Sequence, residues 1–159
     1  PERVSHLLLV STAAWWSDPS PLPTDEGFPQ TEEEMRTRMR AEIGRSVRHP
    51  EVFARAMEEL LPRMRFSPER LKWVATVGAK TYDVRDRLAE IRAPTLIIHG
   101  REDARVPRER AEELHRGIRG SRLVVLEDCG HWPHVEHRRE FVSAAKAFLG
   151  LEDRPARLV

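Results

Sequence analysis

Three short apolar runs constrain what this chain can fold into more than any other feature of its sequence. Each run is continuous rather than alternating, which is typical of a strand buried on both faces in a parallel sheet covered by helices. The runs are S-H-L-L-L-V at residues 5–10, T-L-I-I-H at residues 95–99 and R-L-V-V-L at residues 122–126. The sequence therefore predicts an α/β fold with three parallel strands.

Amphipathic segments follow the second and the third run. After the second run, Pro107 suits the first position of a helix, and Ala111, Leu114 and Ile118 share one helical face. After the third run, apolar residues stand at positions 141, 144, 145, 148 and 149, which is the spacing of an amphipathic helix. This order predicts that the two strands are parallel neighbours joined by a crossover helix.

The first two runs are joined very differently. More than eighty residues separate them, which is too many for a plain crossover connection. Residues 17–30 are rich in Pro, Asp and Ser and are predicted to form a loop. Helix signals follow, because Thr31 and Glu34 can form a capping box and Ser67 precedes Pro68 at a later helix start. Between them, one apolar helical face is predicted from Val52, Phe53, Ala56, Met57, Leu60 and Leu61.

These signals divide the chain into a partial α/β core and a small helical insertion that lies over the sheet. The expected parts are residues 1–16 and 86–150 for the core, residues 17–85 for the insertion and residues 151–159 for a C-terminal tail. Because the sequence begins with Pro1 and not with Met, we expect it to start inside a longer sequence. It has no basic-then-apolar leader, so no signal peptide is expected.

Charge and apolar content argue against several classes of partner. Lys and Arg number 27 against 26 Asp and Glu, and they are interleaved along helical segments, so a nucleic-acid-binding stripe is not expected. No apolar run approaches the roughly 18 residues that span a bilayer, so no membrane association is expected. Cys129 is the single cysteine and has no internal disulfide partner, which favours a reducing, cytoplasmic setting.

Two loops carry candidate catalytic side chains. Asp103 lies in H-G-R-E-D-A-R-V-P after the second strand, and His131 lies in C-G-H-W after the third. Both loops leave the carboxyl edge of the predicted sheet, where α/β proteins bind their ligands. A carboxylate placed there can hold an imidazole in one tautomer and stabilise the imidazolium that forms when the ring takes a proton.

Other interpretations of these loops remain open at this stage. Glu102 is a rival acid, and Asp103 can instead be an ordinary helix-start aspartate before Pro107. The H-x-x-H-x-x-H spacing from His131 resembles a metal motif, but Pro133 argues against a regular helix there, so no metal site is expected. We interpret Cys129 and Ser11 as structural, because neither has the sequence of a nucleophile turn.

The segment A-P-T-L-I-I-H-G-R-E-D-A-R-V-P, followed by L-V-V-L-E-D-C-G-H-W-P-H-V-E, resembles the C-terminal motif pair of the α/β-hydrolase superfamily. The opening P-E-R-V-S-H-L-L-L-V-S-T-A-A resembles the strand that follows the helix behind that family's nucleophile. The resemblance covers residues 1–14 and about 81–150, and residues 17–80 match only as a variable helical lid. It implies that Asp103 is the acid and His131 the base of a catalytic triad, with no cofactor or metal.

One motif of that family does not occur in these 159 residues, namely the G-x-S-x-G turn that carries the nucleophile. Since the family's chain order is nucleophile, acid, base, we expect this turn about 15–25 residues before Pro1. Two alternatives stay open. In the first, the chain is non-catalytic and is a pseudoenzyme or a binding module. In the second, it is one part of a split enzyme whose nucleophile comes from another chain.

The resemblance also implies a class of substrate. It points to a serine-type hydrolase that cleaves ester or related acyl and carbon–carbon bonds in a small apolar compound. The tryptophan after the histidine in C-G-H-W resembles the same position in hydrolases that split ring-cleavage products. Candidate substrate-binding side chains are Trp15, Trp16, Trp73 and Trp132. The strand at residues 5–10 is expected to lack one pairing neighbour, which favours self-association through its exposed edge.

Overall fold

The computed structural model describes residues 3–16, 29–65, 67–78 and 82–151. Its strands are β1 (Leu7–Val10), β2 (Thr95–Gly100) and β3 (Arg122–Leu126). Its α-helices are α1 (Glu32–Ser46), α2 (Pro50–Leu60), α3 (Pro68–Trp73), α4 (Arg108–Gly117), α5 (Pro133–Glu136) and α6 (Arg138–Leu149). Within these ranges, no helix is long and apolar enough to cross a membrane. The predicted loop before residue 29 and the tail after Leu151 lie outside the described residues.

The three predicted strands form one parallel sheet in the order β1-β2-β3, which confirms the predicted fold class. Every residue of β2 is buried, but β1 and β3 are only partly buried. The prediction that all three runs are buried on both faces is therefore wrong for two of them. In the described sheet, β1 and β3 each lie at an edge, so each loses the cover that a second neighbouring strand gives to β2.

Helix α4 covers one side of the sheet and builds the main core. Ala111, Leu114 and Ile118 are buried together against Ile97 of β2 and Leu88, as their shared helical face predicts. The start of the helix is shifted by one residue, since Pro107 is the N-cap and the first helical residue is Arg108. This helix joins β2 to β3 and thereby places the C-terminal ends of both strands at the same edge of the sheet.

Helix α6 matches the second predicted amphipathic helix and lies against β2. It ends at Gly150, whose φ of 65° is the left-handed conformation that glycine adopts most readily. No residue of α6 is fully buried. The aromatic ring of Phe148 packs edge-on against His6, with 5.4 Å between ring centroids.

The helices between β1 and β2 begin where the capping signals predict. The hydroxyl of Thr31 accepts a hydrogen bond from the backbone N–H of Glu34 (3.2 Å), and that of Ser67 accepts one from Arg70 (3.2 Å). The apolar face predicted around α2 is narrower than expected. Phe53, Met57 and Leu61 form a buried cluster, but Val52 and Leu60 are exposed.

Candidate active site

The loops that follow β2 and β3 meet at the carboxyl edge of the sheet. We call residues 101–107 the acid loop and residues 127–132 the base loop. Gly100 makes their contact possible, because a Cβ atom there would lie 2.1 Å from the carbonyl oxygen of Gly130 and 2.3 Å from that of Cys129. Glu102 then joins the loops twice: its N–H donates to Cys129 O (3.0 Å), and its Oε2 accepts from Cys129 N (2.9 Å).

Asp103 and His131 are brought together by this packing. The Oδ2 atom of Asp103 accepts a hydrogen bond from Nδ1 of His131 at 2.9 Å, and the Asp103 side chain has no exposed surface. The other carboxylate oxygen, Oδ1, accepts from the backbone N–H groups of Arg105 and Val106, each at 2.9 Å. The acid that faces His131 is therefore Asp103 and not Glu102, whose carboxylate is bound to the base loop's backbone.

The Asp103 carboxyl remains ionised despite its burial. Burial by itself raises its pKa, but the hydrogen bond from His131, the backbone N–H of Val106, the charge of His131 and the backbone N–H of Arg105 together bring the pKa below the ordinary aspartate value. An ionised Asp103 is a pure acceptor, so the proton of the shared hydrogen bond is on Nδ1 of His131. The second ring nitrogen, Nε2, is then the one able to take a proton.

His131 is held at its backbone and open at its ring. Its N–H donates to the carbonyl oxygen of Ser46 at 2.8 Å, and its side chain keeps 17% of its exposure. Among the described residues, Nε2 has no hydrogen-bond partner. The arrangement can accept a proton at Nε2 and stabilise the resulting imidazolium through Asp103, which is the chemistry of a general base.

His99 is a neighbour of Asp103 that the sequence interpretation did not single out. It is fully buried at the end of β2, and its Nε2 donates to the carbonyl oxygen of Val106 at 2.8 Å. The same Nε2 lies 3.5 Å from Oδ2 of Asp103. His99 therefore supports the acid loop from within the core. The sequence feature that could have indicated this role is its position at the end of a buried strand, four residues before Asp103.

Cys129 and Ser11, both interpreted as structural from the sequence, are buried. Cys129 is fully buried, and burial, followed by the nearby carboxylates, raises the pKa of its thiol to about 12, so the thiol stays protonated at neutral pH. Ser11 is buried directly after β1 with a φ of 43°. Its hydroxyl has no hydrogen-bond partner in the described part of the chain.

Trp132 is the tryptophan that the structure places beside the pair. Its ring lies 5.8 Å from that of His131 and 5.4 Å from that of Phe53 on α2, measured between centroids. Its indole N–H is buried and has no partner among the described residues. Buried indole N–H groups usually have a hydrogen-bond partner, so the unpaired N–H of Trp132 is an exception.

The other three candidate tryptophans have different surroundings. The Trp15 N–H donates to Glu113 (2.9 Å), and the guanidinium of Arg110 lies 3.6 Å from the Trp15 ring centroid, so this ring is engaged on the α4 side. Trp16 is held through its backbone N–H, and Trp73 is 57% exposed on α3. The proposed contact of these three residues with a substrate remains a prediction, and their surroundings give no further support for it.

The histidines after His131 do not form a metal site in the described residues. His137 donates to the carbonyl oxygen of Asp128 (2.9 Å), and the His134 ring packs against Phe141. In the part of the chain that the structure describes, no group of three or more His, Cys, Asp or Glu residues is arranged to hold a metal ion. A regular helix through all three histidines is absent, as predicted: Pro133 opens the short helix α5, which has four residues and ends before His137.

Comparison with known proteins finds similarity to hydrolases by sequence and by structure. A model of the alpha/beta hydrolase family matches residues 3–145. A 2-hydroxy-6-oxo-2,4-heptadienoate hydrolase from Pseudomonas putida is 39% identical over 88 residues, which cover 55% of this chain and 30% of that protein. A 2-hydroxy-6-oxononadienedioate/2-hydroxy-6-oxononatrienedioate hydrolase from Klebsiella pneumoniae is 46% identical over 67 residues, covering 42% of this chain and 23% of that protein.

Solved structures share the fold. An alpha/beta fold family hydrolase from Bacillus anthracis superposes with a TM-score of 0.74 at 21% identity, covering 92% of this chain and 59% of that one. The chain spans less than a third of the length of the two curated relatives and somewhat over half of this structural one.

Proposed function

The chain belongs to the alpha/beta hydrolase family, and on this premise we propose that Asp103 and His131 are the acid and the base of a serine-type hydrolase. The observation that carries the proposal is the 2.9 Å hydrogen bond from His131 Nδ1 to a fully buried, ionised Asp103. It leaves Nε2 of His131 free to act on a hydroxyl. We propose that this hydroxyl belongs to a G-x-S-x-G turn outside these 159 residues, either earlier in the same polypeptide or on a partner chain.

The pair would serve four proton transfers, two in each half of the reaction. Nε2 of His131 takes the proton of the serine hydroxyl as its oxygen attacks the substrate's carbonyl carbon, and the imidazolium then donates that proton to the leaving group. In the second half, Nε2 takes a proton from water as the water oxygen attacks the acyl-enzyme, and returns it to the serine. Asp103 stabilises the imidazolium in both halves and keeps its own carboxylate ionised.

The proposed substrate is a small oxo acid or an ester. Both curated relatives are named as hydrolases of 2-hydroxy-6-oxo acids. Such an acid contains no ester or amide, so its hydrolysis must break a carbon–carbon bond beside the ketone. The indole N–H of Trp132 has no partner among the described residues and its ring lies 5.8 Å from that of His131, so we propose it as a donor to an oxygen of such a substrate.

We also propose that residues 17–85 act as a lid over this site. The support is the contact of Phe53 and the rest of the α2 cluster with Trp132, directly beside the base. A cytoplasmic location is proposed from the free, buried thiol of Cys129, which a reducing compartment preserves.

The test compares the 159-residue chain with the same chain extended upstream through its own coding sequence to the start codon, so that a G-x-S-x-G turn and the earlier loop that completes the oxyanion hole are both included. Both are assayed with p-nitrophenyl esters and with a 2-hydroxy-6-oxo-dienoate. We expect no turnover by the shorter chain, because it offers no activated hydroxyl, and turnover by the longer one. Asp103→Asn and His131→Ala should each lower kcat of the longer chain by about 10³-fold or more, whereas the exposed Asp86→Asn should not.

Two results would contradict the proposal. Turnover by the longer chain that persists in both variants would show that this pair is not the acid and base. Binding of the oxo acid by the longer chain with no turnover would favour the non-catalytic alternative.

A further inference from the structure

One carboxylate outside the Asp103–His131 pair collects an unusual set of hydrogen bonds. Oε2 of Glu136, on the short helix α5, accepts from the backbone N–H groups of Arg48 (2.6 Å), His49 (3.2 Å) and Gly130 (3.2 Å). Its Oε1 accepts from the N–H of Trp132 at 3.0 Å. Hydrogen bonds to an ionised acceptor are about twice as strong as neutral ones, so this carboxylate is a strong local constraint.

The donors come from two segments that are far apart in the chain. Arg48 and His49 form the turn between α1 and α2, whereas Gly130 and Trp132 stand immediately before and after His131. The partners Arg48 and Glu136 are 88 residues apart. The side chain of Glu136 therefore joins the helical connection to the loop that carries the base.

The two segments are also in direct backbone contact. The N–H of His131 donates to Ser46 O at the end of α1, and a Cβ atom at Gly130 would lie only 2.8 Å from both Ser46 O and Arg48 N. No side chain fits between the turn and the base loop at this point. A shift of the turn would consequently displace the backbone of His131.

We propose that Glu136 is a positioning residue that ties the α1–α2 turn to the base loop and so sets the orientation of His131 toward Asp103. The proposal rests on the proposed function in one respect, since it takes His131 as the base. Asp128 of the base loop also bonds the turn, through Arg48 Nε (2.9 Å) and His49 Nε2 (2.9 Å to its carbonyl oxygen). The N–H groups of Gly130 and Trp132, on either side of His131, have their charged acceptor in Glu136. Movement of the α1 and α2 helices is thereby transmitted to the imidazole.

The experiment uses the 159-residue chain labelled with ¹⁵N, so that it does not depend on turnover. The reporter is the downfield NMR signal of the His131 Nδ1 proton, identified by its loss in Asp103→Asn. Hydrogen exchange of the Arg48, His49, Gly130 and Trp132 amides is measured in parallel with that of the buried β2 amides. The variants are Glu136→Gln and Glu136→Ala, with Glu140→Gln as the control for loss of an exposed carboxylate on α6.

We expect both Glu136 variants to weaken or shift the His131 proton signal and to speed exchange at the four amides by about tenfold or more, with exchange of the β2 amides unchanged. Gln keeps one acceptor oxygen and should have the smaller effect, and the control should resemble the unmodified chain. An unchanged His131 signal in both variants would overturn the proposal. So would faster exchange throughout the molecule, because Glu136 would then only stabilise the fold.

This outcome is separable from that of the proposed function. A chain in which Glu136 positions His131 but whose extended form shows no turnover would retain the inference and lose the hydrolase assignment. Turnover that requires His131, combined with an NMR signal insensitive to Glu136, would retain the hydrolase assignment and overturn the inference about Glu136.

Discussion

At the scale of single residues, the candidate site depends on how Asp103 is solvated by the protein instead of by water. The carboxylate has no exposed surface, yet His131 and two backbone N–H groups bring its pKa below the ordinary value. His99 lies against the same carboxylate from the core side. Because each of Asp103's oxygens has a donor, the charge can remain in a buried position at neutral pH.

Asp103 should therefore make the stability of the fold sensitive to acid. Its folded-state pKa lies below the unfolded value of about 3.9, so its contribution is present above that value and is lost as the pH falls through the folded pKa. Each unit of difference corresponds to about 1.4 kcal/mol. In urea unfolding between pH 7 and pH 3, the stability gap between the unmodified chain and Asp103→Asn should narrow at low pH.

The control for this measurement is Thr31→Ala, which removes the N-cap of α1 without changing a titratable group. It should lower the free energy of unfolding by about 1 kcal/mol at every pH. A gap for Asp103→Asn that stays constant across the pH range would contradict the expected ionisation of the buried carboxyl.

At the scale of elements, the site is a stack of three backbone segments. The end of β2 touches the base loop at Gly100, and the base loop touches the α1–α2 turn at Gly130. In both places a Cβ atom would come within 3.0 Å of another segment's backbone, so the two glycines permit approaches that no other residue allows. The glycines of H-G-R-E-D and C-G-H-W are thus explained by packing between segments.

Gly100→Ala should consequently destabilise the fold strongly. The added methyl would overlap the backbone of Cys129 and Gly130, which cannot move without displacing His131. We expect a loss of about 2–3 kcal/mol in the free energy of unfolding, measured with urea. Gly44→Ala is the matched control, because its Cβ would meet nothing within 4 Å on α1 and should stabilise the helix by about 0.5–1 kcal/mol. Equal effects of the two substitutions would exclude this explanation.

At the scale of the whole molecule, the described sheet has three strands and therefore two edges. β2 pairs with a strand along each of its edges, whereas β1 pairs only with β2 among the described residues. The N–H group of Ser11 donates to Ile98 of β2, and that of Leu7 donates to Pro94, the residue before β2. Alternation along a parallel strand then directs the N–H groups of Leu8 and Val10 away from β2. Such an edge is a template for pairing with another chain.

We accordingly expect the 159-residue chain to self-associate, with a sedimentation coefficient that rises with concentration. Leu8→Pro should reduce this association, because proline removes an outward N–H while the inward bonds of β1 are retained. Leu9→Pro, which removes an inward N–H, should instead destabilise the fold. A chain that sediments as a monomer at all concentrations would show that the β1 edge does not pair with a second chain.

Features that depend on neighbours within a few residues could be predicted from the amino-acid sequence. The three apolar runs, the caps at Thr31 and Ser67 and the buried face of α4 all appear where the local pattern predicts them. The placement of Asp103 and His131 at one edge was also predictable, because one crossover helix between parallel strands leaves little choice of topology.

The contacts between these residues could be known only from the folded chain. It selected Asp103 over Glu102 as the partner of His131, engaged Trp15 with α4 and left Trp132 beside the base. It also joined Glu136 to a turn 88 residues away. Such contacts depend on the distances between segments packed in space, and neither hydrophobic periodicity nor capping chemistry carries information about those distances.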